Sequence, residues 1–582
     1  MRILLLTHSF NSLAQRLFVE LRRAGHEVSV EFDIADSVTE EAVALFEPDL
    51  VLAPFMKRRI PESVWSRRPC WIVHPGIPGD RGPSALDRAI LESENEWGVT
   101  VLQAVAEFDA GPVLAHAEFA LREATKSDLY RAEVVDAAVR AVFAALARFV
   151  PGAAPVEDAA PQRGRARPLL RADERRIDWQ QDDRETLLRK IRSADGHPGL
   201  GARLFGQACR LYDAHRAASV APPGQPGAAV ARRGPALLVQ CRDGALWIGH
   251  VRRDSGLADE PPLKLAATLA FAAEAAHLPE LAVALDRDNG EGGQWDELHY
   301  RESGPAAARI GWLEFAFHNG AMGTRQCRVL RDALRWIRTR PTKVLVLAGG
   351  PAFFSNGIHL HEIEAAARRP GDSAADASWR NINAMNDAVL ELLTLTDRLT
   401  FAALRGNAGA GGCFLALAAD AVWAHRGVVL NPHYKNMGNL YGSEYWTYVL
   451  PRRVGGSAGE GAARRITQGR LPLGAEDARS LGLVDAVLAD EAAAFEAQAE
   501  QAALQLAAAP DIDRRIAAKQ RRREEDEAAK PLAAYRAEEL AHMQRNFYGF
   551  DPSYHVARHH FVARKAMAWT PRPLALHRGA AR

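Results

Sequence analysis

Four short segments hold the residues of this sequence that could do chemistry. The first is Cys70-Trp-Ile-Val-His-Pro-Gly-Ile-Pro-Gly-Asp-Arg-Gly-Pro-Ser-Ala-Leu-Asp-Arg-Ala-Ile90, an apolar run that meets a Gly/Pro loop and then a helical pattern. It predicts a strand that delivers His74 to a sheet's carboxyl edge, where open α/β sheets place their ligands. The second follows at Trp97 to Val113: a strand over Trp97 to Gln103, then a turn carrying Asp109. An imidazole and a carboxylate at adjacent strand ends can share proton transfer at one reacting carbon. The third and fourth are glycine-rich turns, Gly349-Gly-Pro-Ala-Phe-Phe-Ser-Asn-Gly-Ile-His-Leu360 and Phe401-Ala-Ala-Leu-Arg-Gly-Asn-Ala-Gly-Ala-Gly-Gly-Cys413. Turns of this kind after strands can aim two backbone N–H groups at one carbonyl oxygen, and a following helix adds its N-terminus. His359, His361 and Glu362 are of metal-ligand type, but without a distant third ligand they read as ordinary helix residues, and no metal is expected.

The elements that must position these residues fall into successive blocks. Over the first 150 residues, apolar runs (Ile3 to Leu6, Val28 to Phe32, Leu50 to Pro54, Trp71 to Val73) alternate with helical patterns such as Leu13 to Arg23, predicting βαβ units and a parallel sheet. Pro151 to Arg167 reads as a linker. From Pro168 to about Arg253 the pattern is β-rich, with Ala236 to Gln240 and Ala245 to Val251 as strands of a small barrel. Asp286 to Gln294 reads as a hinge. An α/β rhythm resumes at Ile310, with strands over Ile310 to Phe317 and Lys343 to Ala348. A helix over Trp379 to Leu393 shows Ile382, Met385, Val389, Leu392 and Leu393 on one face. Beyond residue 487 the chain is Ala-, Arg- and Glu-rich, and Arg521-Arg-Arg-Glu-Glu-Asp-Glu reads as a solvated helical face.

Composition bounds the function class. With 582 residues the chain exceeds one ordinary core. Its 73 Lys plus Arg nearly cancel 72 Asp plus Glu, so no global field favours nucleic acid or an anionic membrane. The five dispersed cysteines fit neither a disulfide framework nor a C-x-x-C metal site. Without an export or membrane-spanning run, a cytoplasmic protein is expected.

The first two segments resemble the N10-formyltetrahydrofolate-dependent formyltransferases, with their Asn-x-His strand, Arg-Gly loop and Asp-x-Gly turn. Arg176-Ile-Asp-Trp179 and the β-rich stretch after it extend the likeness to the small barrel of methionyl-tRNA formyltransferase. The resemblance implies that His74 stabilises or protonates a tetrahedral oxyanion, that Asp109 steers protons between folate nitrogen and nucleophile, and that Arg81 and Gly82 belong to the formyl-site loop. The family's Asn position holds Ile72, removing one oxyanion donor. A thiol attacks without an amine's deprotonation, so the site suits a different nucleophile.

The glycine turns, with Gly469 to Asp485, resemble the crotonase (enoyl-CoA hydratase/isomerase) superfamily. That implies a CoA ester whose thioester carbonyl meets the backbone N–H groups of Ile358 and Gly411. Hydratases need two glutamates, and those positions hold Phe414 and Tyr434. Glu444 lies near where some crotonases place an acid or base, so Tyr434 and Glu444 are the candidate proton-moving pair. The competing reading makes Tyr434 and Trp446 core aromatics and Glu444 a surface acid.

The expected architecture is α/β. A Rossmann-like formyltransferase domain (1–160) and a small β-barrel subdomain (168–275) precede a crotonase-fold, CoA-binding domain (295–490) with a helical C-terminal extension (491–582). Formyl transfer from N10-formyltetrahydrofolate to CoA, then loss of carbon monoxide from formyl-CoA, uses both sites. As a fusion the chain resembles a family of NiFe-hydrogenase maturation factors. That resemblance implies delivery of CO to the hydrogenase active site, with maturation proteins or the large-subunit precursor as candidate partners. Two alternatives are formyl transfer to another amine acceptor and a non-catalytic scaffold binding folate or CoA.

Overall fold

The computed structural model describes residues 1–218, 222–254, 261–286, 295–455 and 459–579. The first sheet runs Glu27–Phe32, Arg2–Thr7, Leu50–Phe55, Cys70–His74, Glu96–Gln103, Val113–Ala120. Its first four strands are parallel, as their apolar runs predict, but the fifth, Glu96–Gln103, is antiparallel to both its neighbours. The reason lies in the helix Ala85–Leu91. Seven residues of helix span only about 10 Å, too little to carry the chain back past a strand, so it re-enters from the carboxyl end. The helix Ser12–Arg23 starts where the Asn11 side chain accepts from Ala14 N at 3.0 Å, and it buries Leu13, Leu17 and Leu21 one turn apart.

The stretch 151–167 has almost no regular structure, yet it does not hang free. Gly164 N donates to Pro78 O at 2.8 Å and Arg167 N to Arg81 O at 2.9 Å, laying it across the loop after His74. An antiparallel unit follows, with Leu200–Leu204, Gln207–Arg216, Gly244–Arg253, Ala236–Cys241 and Ala229–Arg233 in order and Leu265–Ala266 added beside Gly244–Arg253. The helix Arg184–Ala194 closes its apolar face. Of the expected hinge, only Asp286 lies within the described residues.

The second large sheet runs Leu298–Ser303, Ile310–Phe315, Val344–Gly349, Leu399–Leu404, Ala421–His425, Ala486–Ala489, and is parallel after its first pair. A smaller sheet stacks Phe353–Ser355, Asn407–Gly409, Val429–Asn431 and Leu473–Gly474, each the short continuation of a glycine turn. The helix over 379–393 begins earlier than predicted, at Ala374, because Ser373 caps it. Ile382, Met385, Val389 and Leu392 are buried and Leu393 only partly so.

Four helices follow: Ala492–Ala507, Ile512–Ala529, Leu532–Tyr548 and Ser553–Val562. Arg521 to Glu527 is mostly exposed, although Asp526 accepts from Tyr448 Oη and pairs with Arg452. After Val562 the tail is not helical like the rest of the extension: it crosses back to the first sheet. Leu574 enters that sheet's core, Val30 N donates to Leu574 O at 2.9 Å, and His577 bonds Glu31 and Ser29.

Candidate active sites

In the first site His74 ends the strand Cys70–His74 and is 5% exposed. Its Nδ1 stands 3.7 Å from Asp109 Oδ2, and its Nε2 stands 3.2 Å from Asp80 Oδ1. Asp109 occupies a left-handed backbone conformation at φ 52°, and its carboxylate accepts from Gly82 N at 3.2 Å. The Arg-Gly loop thus contributes through the glycine's amide. The Arg81 side chain is largely exposed and pairs with Glu107 at 3.3 Å. Gly82 is needed as glycine, since its φ is +119° and a β-carbon would come within 2.1 Å of Arg167 O. Ile72 lies two residues before His74 on the same face of the strand, half-buried among apolar neighbours. Asp80 is a site residue that the motif reading missed: it is 3% exposed, and its second oxygen has no hydrogen-bond partner among the described residues, with Arg167 Nε 3.8 Å away. An acid inside a Gly/Pro loop was the only signal for it.

In the second site the two glycine turns converge. Ser355 Oγ accepts from Gly357 N at 3.1 Å and Asn381 Oδ1 accepts from His359 N at 3.1 Å, so the Ile358 peptide between them is fixed on both sides. Gly411 opens the helix Gly411–Leu417, which leaves its N–H without a partner inside the helix. The turns touch: a β-carbon on Gly357 would lie 3.2 Å from Gly411 N. A β-carbon on Gly411 would lie 2.7 Å from Glu444 Oε1. Ala410, just before the helix, holds φ 47° and ψ −126°, a conformation normally left to glycine.

Glu444 is 1% exposed, which excludes the surface-acid reading. Tyr434 Oη bonds its Oε2, Ser443 N donates to the same oxygen at 3.2 Å, and Asn386 Oδ1 accepts from Glu444 N at 2.8 Å. Burial pushes the Glu444 carboxyl up to about 7 and raises the Tyr434 hydroxyl well above its ordinary range. Phe414 stacks on Tyr434 with ring centroids 5.2 Å apart, so the position where hydratases keep an acid is an apolar wall. Glu444 and Tyr445 both hold positive φ, 62° and 56°, local strain of the kind that collects at functional sites.

The two halves meet along a seam, where Asn431 Nδ2 donates to Gln15 Oε1 at 2.9 Å. The Arg131 guanidinium lies 4.8 Å from the Phe353 ring centroid. Lys264 Nζ stands 4.0 Å from the Tyr212 ring centroid and 3.3 Å from His318 Nε2, and burial lowers it to about 8. Arg564 donates to Gly196 O at 3.1 Å. Burial, then Arg564 and other cations, lowers His197 to about 4. His359 caps the helix Leu360–Ala366 by accepting from Glu362 N at 3.2 Å, as an ordinary helix residue would. Among the described residues the ligand-type side chains close enough to hold a metal are instead Asp213, His250 and His318, within 4.8 Å of one another. Asp213 already accepts from His215 and His250 at 2.8 Å each. The motifs of the sequence include neither the cations Arg131, Lys264 and Arg564 nor the cluster Asp213, His250 and His318, which come from segments far apart in the chain.

Family models match this geometry segment by segment: formyl transferase over residues 11–146, the formyl transferase C-terminal domain over 169–258, and enoyl-CoA hydratase/isomerase over 318–570. Methionyl-tRNA formyltransferase from Stenotrophomonas maltophilia is 28% identical over 39% of this chain and 74% of its own. The fold and these matches therefore define a fusion of a formyltransferase-like domain with a crotonase-like domain. Hydrogenase maturation factor HoxX from Bradyrhizobium diazoefficiens is 54% identical over 99% of this chain and 97% of its own. The crystal structure of HypX from Aquifex aeolicus in complex with tetrahydrofolic acid superposes with a TM-score of 0.91 at 41% identity, covering 99% of both chains. The chain belongs to the HoxX/HypX family of hydrogenase maturation factors.

Proposed function

We propose that the protein makes carbon monoxide by transferring the formyl group of N10-formyltetrahydrofolate to CoA and then breaking down formyl-CoA, and that this CO serves NiFe-hydrogenase maturation. In the first step the CoA sulfur bonds to the formyl carbon and the C–N10 bond breaks. His74 donates to the oxyanion, while Asp109 and His74 carry the thiol proton to N10. The tetrahydrofolate of the Aquifex relative's structure supports a folate substrate here. The cations of the seam, Arg131, Lys264 and Arg564, support CoA as acceptor, since they suit a ligand carrying several phosphates. A long flexible arm rooted there replaces diffusion between the sites with a high effective concentration.

In the second step Ile358 and Gly411 polarise the thioester carbonyl. Glu444 takes the formyl proton, the C–S bond breaks, CO leaves, and the proton returns to the CoA thiolate. Atoms and charge balance with no oxidant or reductant. Formyl-CoA has no α-carbon, so the enolate chemistry of hydratase glutamates has no use, consistent with Phe414 and Tyr434 at those positions. The observation that carries the reading is Glu444: a buried carboxyl beside Gly411 that gains and loses its proton near neutrality. The test incubates the protein with N10-formyltetrahydrofolate and CoA and traps CO with reduced haemoglobin. CO above the enzyme-free control is expected, and its absence removes the reading.

A further inference from the structure

We propose that Glu539, on the C-terminal extension, is a positioning residue for Glu444: its carboxylate clamps the turn Ser443–Thr447 so that the Glu444 carboxyl group is presented to Gly411. Glu539 is fully buried on the helix Leu532–Tyr548 and nearly one hundred residues from the turn in sequence. One of its oxygens accepts from Thr447 N at 2.9 Å and Thr447 Oγ1 at 2.6 Å; the other accepts from Tyr445 N at 2.9 Å and Ser443 Oγ at 3.3 Å. Those amides belong to the entrance of the helix Trp446–Arg453, whose orphan N–H groups and dipole favour an anion at that spot. The four bonds bracket Glu444 without touching its side chain. They also supply what two successive left-handed residues need in order to persist.

The clamp is electrical as well as geometric. Glu444, Tyr434, Tyr441 and Tyr445 surround the Glu539 carboxyl, and none of them is cationic. Arg536 lies beyond Tyr445 and is engaged by Asp387 at 2.7 Å. On the far side of Glu444, Cys327 is a buried thiol raised well above its ordinary range, and Cys413, near Tyr434, is raised to about 12, so both stay neutral. Glu444 and Glu539 therefore oppose each other's ionisation and titrate as a pair. Burial, and then the Glu444 charge, raises the Glu539 carboxyl to about 8, so Glu444 ionises first and Glu539 takes the upper step of the pair.

This inference rests on the reading of Glu444 as the proton-moving group. Its test measures, on the full chain, formyl-CoA formed and CO released across pH. In Glu539→Gln, formyl-CoA formation stays at the wild-type rate, CO release falls roughly 10- to 100-fold, and the upper of the two carboxyl steps is lost from its pH profile. Glu539→Asp keeps a second titrating carboxyl on a shorter arm, so it slows CO release and retains both steps. Wild-type CO release in both variants with both steps retained overturns the proposal, as does parallel loss of both reactions. If the wild-type protein itself releases no CO, the functional reading fails. A carbon-13 carboxyl titration of Glu444 then still decides the clamp, since its two-step curve must become a single step in Glu539→Gln and an unchanged curve refutes the pairing.

Discussion

At the scale of single residues, the second site is built around a carboxyl group whose titration burial raises to near neutrality. Glu444 has a folded-state value of about 7 against an ordinary 4.5, so the folded protein holds that proton more tightly than the unfolded chain. Stability from this group is full below the unfolded value and is lost as pH rises toward the folded one. Replacing Glu444 by Gln, which stays neutral and can still bond Tyr434, should raise the melting temperature near pH 8 and change it little near pH 5. The gain is at most roughly 3 kcal/mol. An equal shift at both pH values would mean Glu444 is not held protonated. The same variant, and Tyr434→Phe, should accumulate formyl-CoA, whereas His74→Ala should block its formation. Chromatography of acid-quenched reactions distinguishes the two, and a single accumulating species from all three would break the two-site assignment.

At the scale of elements, short pieces with demanding backbones do the positioning. Gly411 shows the constraint most directly: a methyl group there would push into the Glu444 carboxyl. Gly411→Ala should cost roughly 1–3 kcal/mol of stability and suppress CO release while sparing CoA formylation, which thermal melts and product analysis read separately. The tail after Val562 acts as a strap. Buried Glu31 on the strand Glu27–Phe32 bonds His577 Nε2 at 2.9 Å, Arg578 Nε at 2.8 Å and the Thr570 hydroxyl. Burial opposes ionisation there, yet these partners hold the Glu31 carboxyl below its usual range. That contribution is present above the unfolded carboxylate value and fades as pH falls below it. His577→Ala removes one partner of a buried charge that keeps Arg578 and Thr570, and should cost roughly 1.5–3 kcal/mol near pH 7, with a smaller loss near pH 4. A denaturant midpoint equal to wild type at neutral pH would show the strap to be passive.

At the scale of the whole molecule, the first glycine turn of the second site borders a seam between the halves. Its cations come from the first domain (Arg131), the chain after the β-rich unit (Lys264) and the C-terminal tail (Arg564). If they hold the phosphates of CoA, Arg131→Ala with Arg564→Ala should weaken CoA binding by roughly 10- to 100-fold in calorimetry and leave tetrahydrofolate binding unchanged. Equal weakening of both ligands would mean that the seam only holds the halves together.

The sequence by itself determined the order of the units and the identities at the candidate positions. Strand ends, glycine turns and the residues replacing the families' Asn and Glu are local features, and Ile72, His74, Asp109, Phe414, Tyr434 and Glu444 could all be named from motifs that resemble the two families. Tertiary structure alone decided what surrounds them. Asp80 beneath His74, Asn386 on the Glu444 amide, Glu539 under its turn and the cations of the seam are brought in by packing across long sequence separations, for which no spacing rule exists. The reversal of the strand Glu96–Gln103 in the first sheet was hidden for a related reason, since it depends on whether one helix is long enough to carry the chain back past a strand. Whether Glu444 is an acid in water or a proton held near neutrality is likewise a matter of burial, which arises only once the extension folds over it.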